Sequence, residues 1–191
     1  MGSGKRVLVC GQKAGILWGL DPDEHGKVLW QTRVGAGGPL GGIEWGPAAD
    51  LEFAYAAVSD LTVRDGNGPG GLHALKLATG EKVWSTPPPK LHCTAGAKGC
   101  SGAQSAAISA IPGVVFSGSI DGHFRAFQAR TGEIVWDFDS VRDYQTVNGV
   151  PGKGGSLDSA GPVIAGGMVF TNSGYGMWQG LPGNVLLAFG K

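Results

Sequence analysis

Three tryptophans constrain this chain more than any other feature. Trp30, Trp84 and Trp136 each follow a glycine by four residues (Gly26, Gly80, Gly132), and they stand 54 and 52 residues apart. Around the last two, the segments Leu72 to Trp84 and Phe124 to Trp136 read as strand, tight Thr-Gly turn and second strand. The first copy, Leu17 to Trp30, is one residue longer at the turn, and a half-copy spans Val185 to Gly190. Self-similarity at this period, with short strands inside each copy, specifies a β-propeller or a related array.

Composition agrees once the repeat is seen. There are 36 glycines and 11 prolines in 191 residues, a level that would suggest disorder in a chain without periodicity. Here apolar alternation is regular, so the glycines read as turns between many short strands, with almost no helix. The 15 basic and 15 acidic residues cancel, and no basic stripe suggests nucleic acid. No apolar run approaches membrane-spanning length. The opening Met1-Gly-Ser-Gly-Lys5 carries no secretory signal and reads as a truncation point.

Assigning strands A to D outward from the axis predicts an all-β fold, a partial β-propeller of about three and a half four-stranded blades. The blade pieces cover about 5–34, 43–86, 104–139 and 156–191. The expected innermost strands are Ile43 to Ala48, Gln104 to Ala110 and Asp158 to Ile164, within fourteen strands in all. The first piece has no A strand and the last no D strand. Such open edges invite pairing with another chain, so self-association through them is expected. At roughly 53 residues per blade, an eight-bladed ring needs about 400 residues or more. The long connections, Pro87 to Ala103, Ser140 to Leu157, Ser59 to Gly70 and Ser173 to Gly183, all fall on one face of the disc, where binding sites usually lie.

Of three cysteines, Cys93 and Cys100 share a polar, Gly-rich stretch whose six-residue spacer can fold back into a disulfide. A metal site with His92 is the alternative, although zinc knuckles use shorter spacers. A disulfide implies an oxidising compartment. Cys10 ends an apolar strand and reads as a buried, inert thiol.

The motif Ala-Phe-x-Ala-x-Thr-Gly-x-x-x-Trp, preceded by Ser119-Ile-Asp-Gly122, resembles the repeat of quinoprotein dehydrogenases. Further details resemble the polyvinyl alcohol dehydrogenase branch. They are Gly42-Ile-Glu-Trp-Gly46, the Cys93/Cys100 loop, Ser156-Leu-Asp-Ser-Ala-Gly-Pro162, Asn172-Ser-Gly-Tyr-Gly176 and Pro182-Gly-Asn-Val-Leu-Leu-Ala-Phe189. The resemblance covers nearly the whole chain and corresponds to the carboxy-terminal part of the family's ring. It implies an eight-bladed propeller whose tryptophans dock blade on blade. It also implies pyrroloquinoline quinone (PQQ) and Ca²⁺ on the axis, a small or polymeric secondary alcohol as substrate, a cytochrome c acceptor, and a periplasmic or secreted location. The same repeat builds non-enzymatic scaffolds, such as the outer-membrane assembly lipoprotein of the BamB type, which bind protein partners. No Cys-x-x-Cys-His haem motif occurs here.

Quinone-dependent alcohol oxidation needs a base for the hydroxyl proton and hard oxygen ligands for Ca²⁺. Glu44 and Asp158, at the starts of inner strands, are the candidates for both roles; the alternative is an ordinary hydrogen-bonded carboxylate. Trp45 and Trp178 are flat aromatics able to stack on a quinone. Arg142 suits a cofactor carboxylate, or is a plain loop arginine. Asn172 and Tyr175 flank a glycine-rich turn near the same face. Asp121 reads as a turn residue. Trp30, Trp84 and Trp136 are expected to be buried between blades, and Trp18, aligned with His73 and Arg125, to serve packing or the surface.

Overall fold

A computed structural model describes residues 4–62, 70–91 and 97–190. Among these, every regular element is a strand. Blade one is β1 (Leu8–Gly11), β2 (Ile16–Asp21) and β3 (Lys27–Arg33). Blade two is β4 (Ala48–Ala49), β5 (Phe53–Ala57), β6 (Leu72–Lys76) and β7 (Lys82–Thr86). Blade three is β8 (Ser109–Ile111), β9 (Val114–Gly118), β10 (His123–Gln128) and β11 (Ile134–Asp139). After a hairpin, β12 (Asp143–Gln145) and β13 (Pro151–Lys153), blade four is β14 (Val163–Ala165), β15 (Met168–Ser173) and β16 (Val185–Phe189). Each sheet is an antiparallel meander in chain order. The partial propeller is therefore present, with one hairpin that the sequence reading took as loop.

The repeat has a structural cause. In each complete C–D pair a bulge falls at the same place, between Gly19/Leu20, Ala74/Leu75 and Ala126/Phe127. It aims the tryptophan at the next blade. The Trp30 indole N–H donates to the Leu77 carbonyl at 2.9 Å, and that of Trp84 to Ala129 at 3.0 Å. Gly80 and Gly132, at φ +71 and +74, lie directly against those rings; a Cβ there would come within 2.6 and 2.5 Å of ring atoms. Two residues beyond each tryptophan, Thr32 and Thr86 donate to the carbonyls of the same glycines. Apolar side chains fill the space between blades: Leu17, Trp30, Ala54, Ala56 and Leu75 between one and two, and Tyr55, Leu72, Val115 and Phe127 between two and three.

The third tryptophan departs from expectation. Trp30 is 7% exposed, whereas Trp136 is 36% exposed. No described glycine receives its ring. It stacks instead on Phe138, which replaces the threonine of the other copies, and meets Phe189 edge-on. Cys10 also differs from expectation: this thiol is free and exposed. Cys93 and His92 lie outside the described residues.

The innermost strands are shorter than predicted, because the axial segments bond between blades rather than within them. Ile43 N–H donates to Gln12, Gln104 to Val58, Ala107 to Ser159, and Ile108 to Gly46. Each blade thus hands its axial amides to its neighbour. Glu44, Trp45 and Asp158 consequently lie outside the strands.

Candidate functional site

Asp158 is the centre of the site. It is a buried carboxylate, followed by Ser159 in the left-handed region at φ +68. That turn brings the Ser159 N–H back onto its Oδ1 at 2.6 Å. Ala107 N–H fixes the Ser159 carbonyl from blade three, and a Cβ on Gly161 would strike the Ala107 carbonyl at 2.4 Å. The acid is therefore held by backbone on both sides.

Its charge is disfavoured. Burial is the first cause raising its pKa to about 6; the Ser159 N–H opposes it, the Glu44 carboxylate raises it further, and the Trp45 indole favours the ionised form. Glu44 and Trp45 are therefore both close enough to Asp158 to act on its charge, although none of the three lies at a strand start. Glu44 comes from the segment between β3 and β4, and Asp158 from that between β13 and β14. Lys13 of blade one stands 3.9 Å from the Glu44 carboxylate and donates to the Pro39 carbonyl. Trp45 is 51% exposed.

On its other side Asp158 borders a pocket of about 430 Å³ with Asn172 and Tyr175 in the wall. The loop carrying Tyr175 is strapped down: Gly174 and Tyr175 N–H both donate to the Ser156 carbonyl, and Gly183 N–H donates to Gly174. Gly174, at φ +126, lies so close to the Gly183 backbone that no side chain would fit. Arg142 stands apart from this grouping. Its guanidinium lies over the rings of Phe138 and Tyr144, at 4.4 and 5.3 Å from the centroids. Trp178 is an exposed loop residue, and Asp121 is the expected turn residue, accepting from His123 N–H and Arg125.

The chemistry of the donor set fits a quinone and a hard cation in part. Two converging carboxylates are oxygen ligands of the right kind, and a half-exposed indole offers a stacking face. Among the described residues no group of three or more acidic, histidine or cysteine side chains is placed to hold a metal. A cation there would need further oxygen ligands from carbonyls, water or cofactor.

Two polar clusters escaped the sequence reading. A pocket of about 360 Å³ between blades one and two is lined by Arg33, Asp60, His73, Lys82 and Ser85. Burial, then Lys82, push the His73 pKa down to about 4, with Asp60 opposing; its Nδ1 is 2.8 Å from Ser85 Oγ. At the equivalent position of blade three, buried Arg125 bonds Asp121, Asp137 and Ser119. The signal was available: Trp18, His73 and Arg125 occupy one repeat position that changes chemistry in every blade.

The PQQ_2 family model, described as outer membrane protein assembly factor BamB, matches residues 13–171. The chain is 45% identical over 195 residues to the polyvinylalcohol dehydrogenase of a Pseudomonas species, covering 97% of this chain and 30% of that protein. It is 44% identical to the polyvinylalcohol dehydrogenase of Sphingopyxis sp. (strain 113P3), covering 99% and 31%. The chain thus spans under a third of the length of these relatives. Among solved structures, quinohemoprotein alcohol dehydrogenase ADHIIG from Pseudomonas putida HK5 superposes with a TM-score of 0.61 at 17% identity, over 89% of this chain and 27% of that one. BamB from Moraxella catarrhalis gives 0.59 at 16%, over 90% and 44%. At such identities the superpositions speak to the propeller fold alone.

Proposed function

The chain belongs to the PQQ_2 family, and we propose on that premise that it is a blade set of a quinone-dependent alcohol dehydrogenase, carrying the acid side of its axial site. The observation that supports this best is Asp158. It is a buried carboxyl whose pKa of about 6 is poised for proton transfer near neutral pH, and both Glu44 and the half-exposed Trp45 act on it.

In this reading Asp158 takes the hydroxyl proton of the alcohol. Glu44, 3.9 Å from the Lys13 ammonium, and Asp158 would offer carboxylate oxygens to Ca²⁺, which would polarise the quinone carbonyl. Trp45 orients the flat cofactor by stacking. PQQ, when bound, supplies the two-electron acceptor. Tyr175 and Asn172, in the wall beside Asp158, face the substrate, and Arg142 is a remoter candidate for a cofactor carboxylate. The substrate class is a secondary alcohol, small or polymeric, in line with relatives that are polyvinylalcohol dehydrogenases. A relative that is a 1-butanol dehydrogenase (cytochrome c) supports a cytochrome c acceptor. The setting is periplasmic or secreted, with Cys93 and Cys100 paired.

Equilibrium dialysis of the chain against PQQ with Ca²⁺ tests this. Retention is expected to depend on Ca²⁺ and to fall tenfold or more in Asp158→Asn and in Glu44→Gln. Retention indifferent to Ca²⁺ and to both substitutions contradicts the reading. A second reading, a scaffold that binds protein partners, is supported by the description of the family model; it predicts no quinone retention at all.

A further inference from the structure

The pocket between blades one and two is lined by cationic groups whose counterparts in blade three are already paired. Register gives the correspondence: His73 sits opposite Ser85 on the next strand, as Arg125 sits opposite Asp137. In blade three the Asp137 carboxylate accepts from Arg125 Nε at 3.0 Å and lies 2.6 Å from His123 Nδ1. Asp121 accepts from a second guanidinium nitrogen at 3.1 Å. The cation is thus neutralised from within its own blade. Blade two has a serine in the place of Asp137, so it supplies no such carboxylate.

The acid that blade two does have is taken up by backbone. Asp60, the counterpart of Asp121 by register, is buried. It accepts from the N–H groups of Ala36, Gly37 and Gly42 at 2.8, 3.0 and 2.6 Å. Arg33, at the end of β3, donates through Nη1 to the carbonyls of Ala14, Gly35 and Ala36. Those bonds fix the guanidinium and leave its Nε–Nη2 edge unpaired among the described residues. Such an edge can meet an oxyanion with two parallel hydrogen bonds. Lys82 is exposed and has no ion pair among the described residues. His73 is neutral at pH 7, with its pKa near 4. Its Nδ1 is 2.8 Å from Ser85 Oγ, and its Nε2 borders Gly71, where a Cβ would lie 3.5 Å away. When Ser85 donates to Nδ1, the ring proton sits on Nε2 and is free to donate. The pocket measures about 360 Å³, near the lower end of the range for small-molecule sites, about 300–1,000 Å³.

We propose that this pocket binds a small organic oxyanion, a carboxylate or a phosphate ester, whose charged group takes the place that Asp137 fills in blade three. The Arg33 edge and the Lys82 ammonium meet the charge, and His73 donates to it from Nε2. Val34, Val58, Pro87 and Pro88, which also line the pocket, receive the carbon body. Arg33 belongs to blade one, and His73 and Lys82 to blade two. The ligand therefore bridges two blades and stabilises the folded chain by binding it. The pocket shares no lining residue with the one beside Asp158, and the inference is independent of alcohol oxidation.

The probes are sodium butyrate and glycerol 3-phosphate, titrated at pH 7 into the ¹⁵N-labelled chain, with sodium chloride at matched ionic strength as the blank. Saturable shifts of the His73 ring nitrogens and the Gly71 amide are expected with at least one probe. The probe that saturates at lower concentration tells carboxylate from phosphate. Affinity should fall tenfold or more in Lys82→Gln, and also in Ser85→Asp, which builds the carboxylate of blade three into blade two. Lys27→Gln removes a blade-one charge that is paired with Glu24 and should bind as the wild type does. Saturating ligand should raise the thermal unfolding midpoint of the wild type and leave that of Lys82→Gln unchanged. If the amide spectrum of Ser85→Asp shows that it does not fold, Lys82→Gln decides alone. No saturation by either probe, or shifts that chloride reproduces, overturns the inference. So does wild-type affinity in either folded variant, or an equal loss in Lys27→Gln.

Discussion

Asp158 is pulled in two directions. Burial and Glu44 favour its neutral form, while Ser159 N–H and Trp45 favour its charge, and the first pair prevails. The folded chain therefore holds this proton more tightly than the unfolded chain does. The stabilising contribution is fully present below the ordinary carboxylate pKa near 4 and is lost as pH rises through about 6. Asp158→Asn cannot ionise, so it should be more stable than the wild type at pH 7.5 by about 1–3 kcal/mol. The difference should close at pH 4, as measured by denaturant unfolding at both values. A variant less stable at pH 7.5 would mean that the charge is a net asset to the fold. A second residue-scale prediction concerns the thiols. Under denaturing, non-reducing conditions one thiol per chain should titrate, Cys10; three would refute the Cys93–Cys100 pairing. What was legible of Glu44 and Asp158 is that acids in inner segments beside long loops are candidates for one site; their place outside the strands was not, because the axial amides bond between blades. The role of Ser159 was not, since nothing in the sequence marks a serine for positive φ.

At the level of the element, the Gly-x-x-x-Trp unit was legible because its spacing is rigid: a bulge, a positive-φ glycine and a large ring recur together. The inner strands were not. Alternating residues such as those from Gln104 to Ala110 read as strand, and nothing local shows that their amides are taken by the neighbouring blade. The sequence pattern also treats three tryptophans as equal when, among the described residues, two find a turn glycine. Stability should follow the structure rather than the pattern. Trp30→Ala should cost about 3–5 kcal/mol, as for a buried aromatic, with its indole hydrogen bond to Leu77 also lost. Trp136→Ala should cost clearly less, although Phe124, Phe138 and Phe189 surround its ring. Thermal unfolding of the two variants decides this; equal losses would show that Trp136 docks as fully as Trp30.

On the scale of the whole molecule, four blade pieces of a partial propeller bring Glu44 and Trp45 within reach of Asp158. A site on the axis gains its rate from groups fixed on several sides and from exclusion of water. The relatives matched are more than three times as long as the segment they share with this chain, which leaves room for the blades that would face these residues across the axis. Binding of a quinone and its turnover are therefore separable: the partial propeller can supply one wall of the site without enclosing it. The direct measurement is dye-linked oxidation of a secondary alcohol by the chain, with added PQQ and Ca²⁺, on fractions resolved by size-exclusion chromatography. The account predicts little or no turnover in the monomer fraction, with any activity confined to a larger species and abolished by Asp158→Asn. Robust turnover by the monomer, or activity that survives in Asp158→Asn, would contradict it.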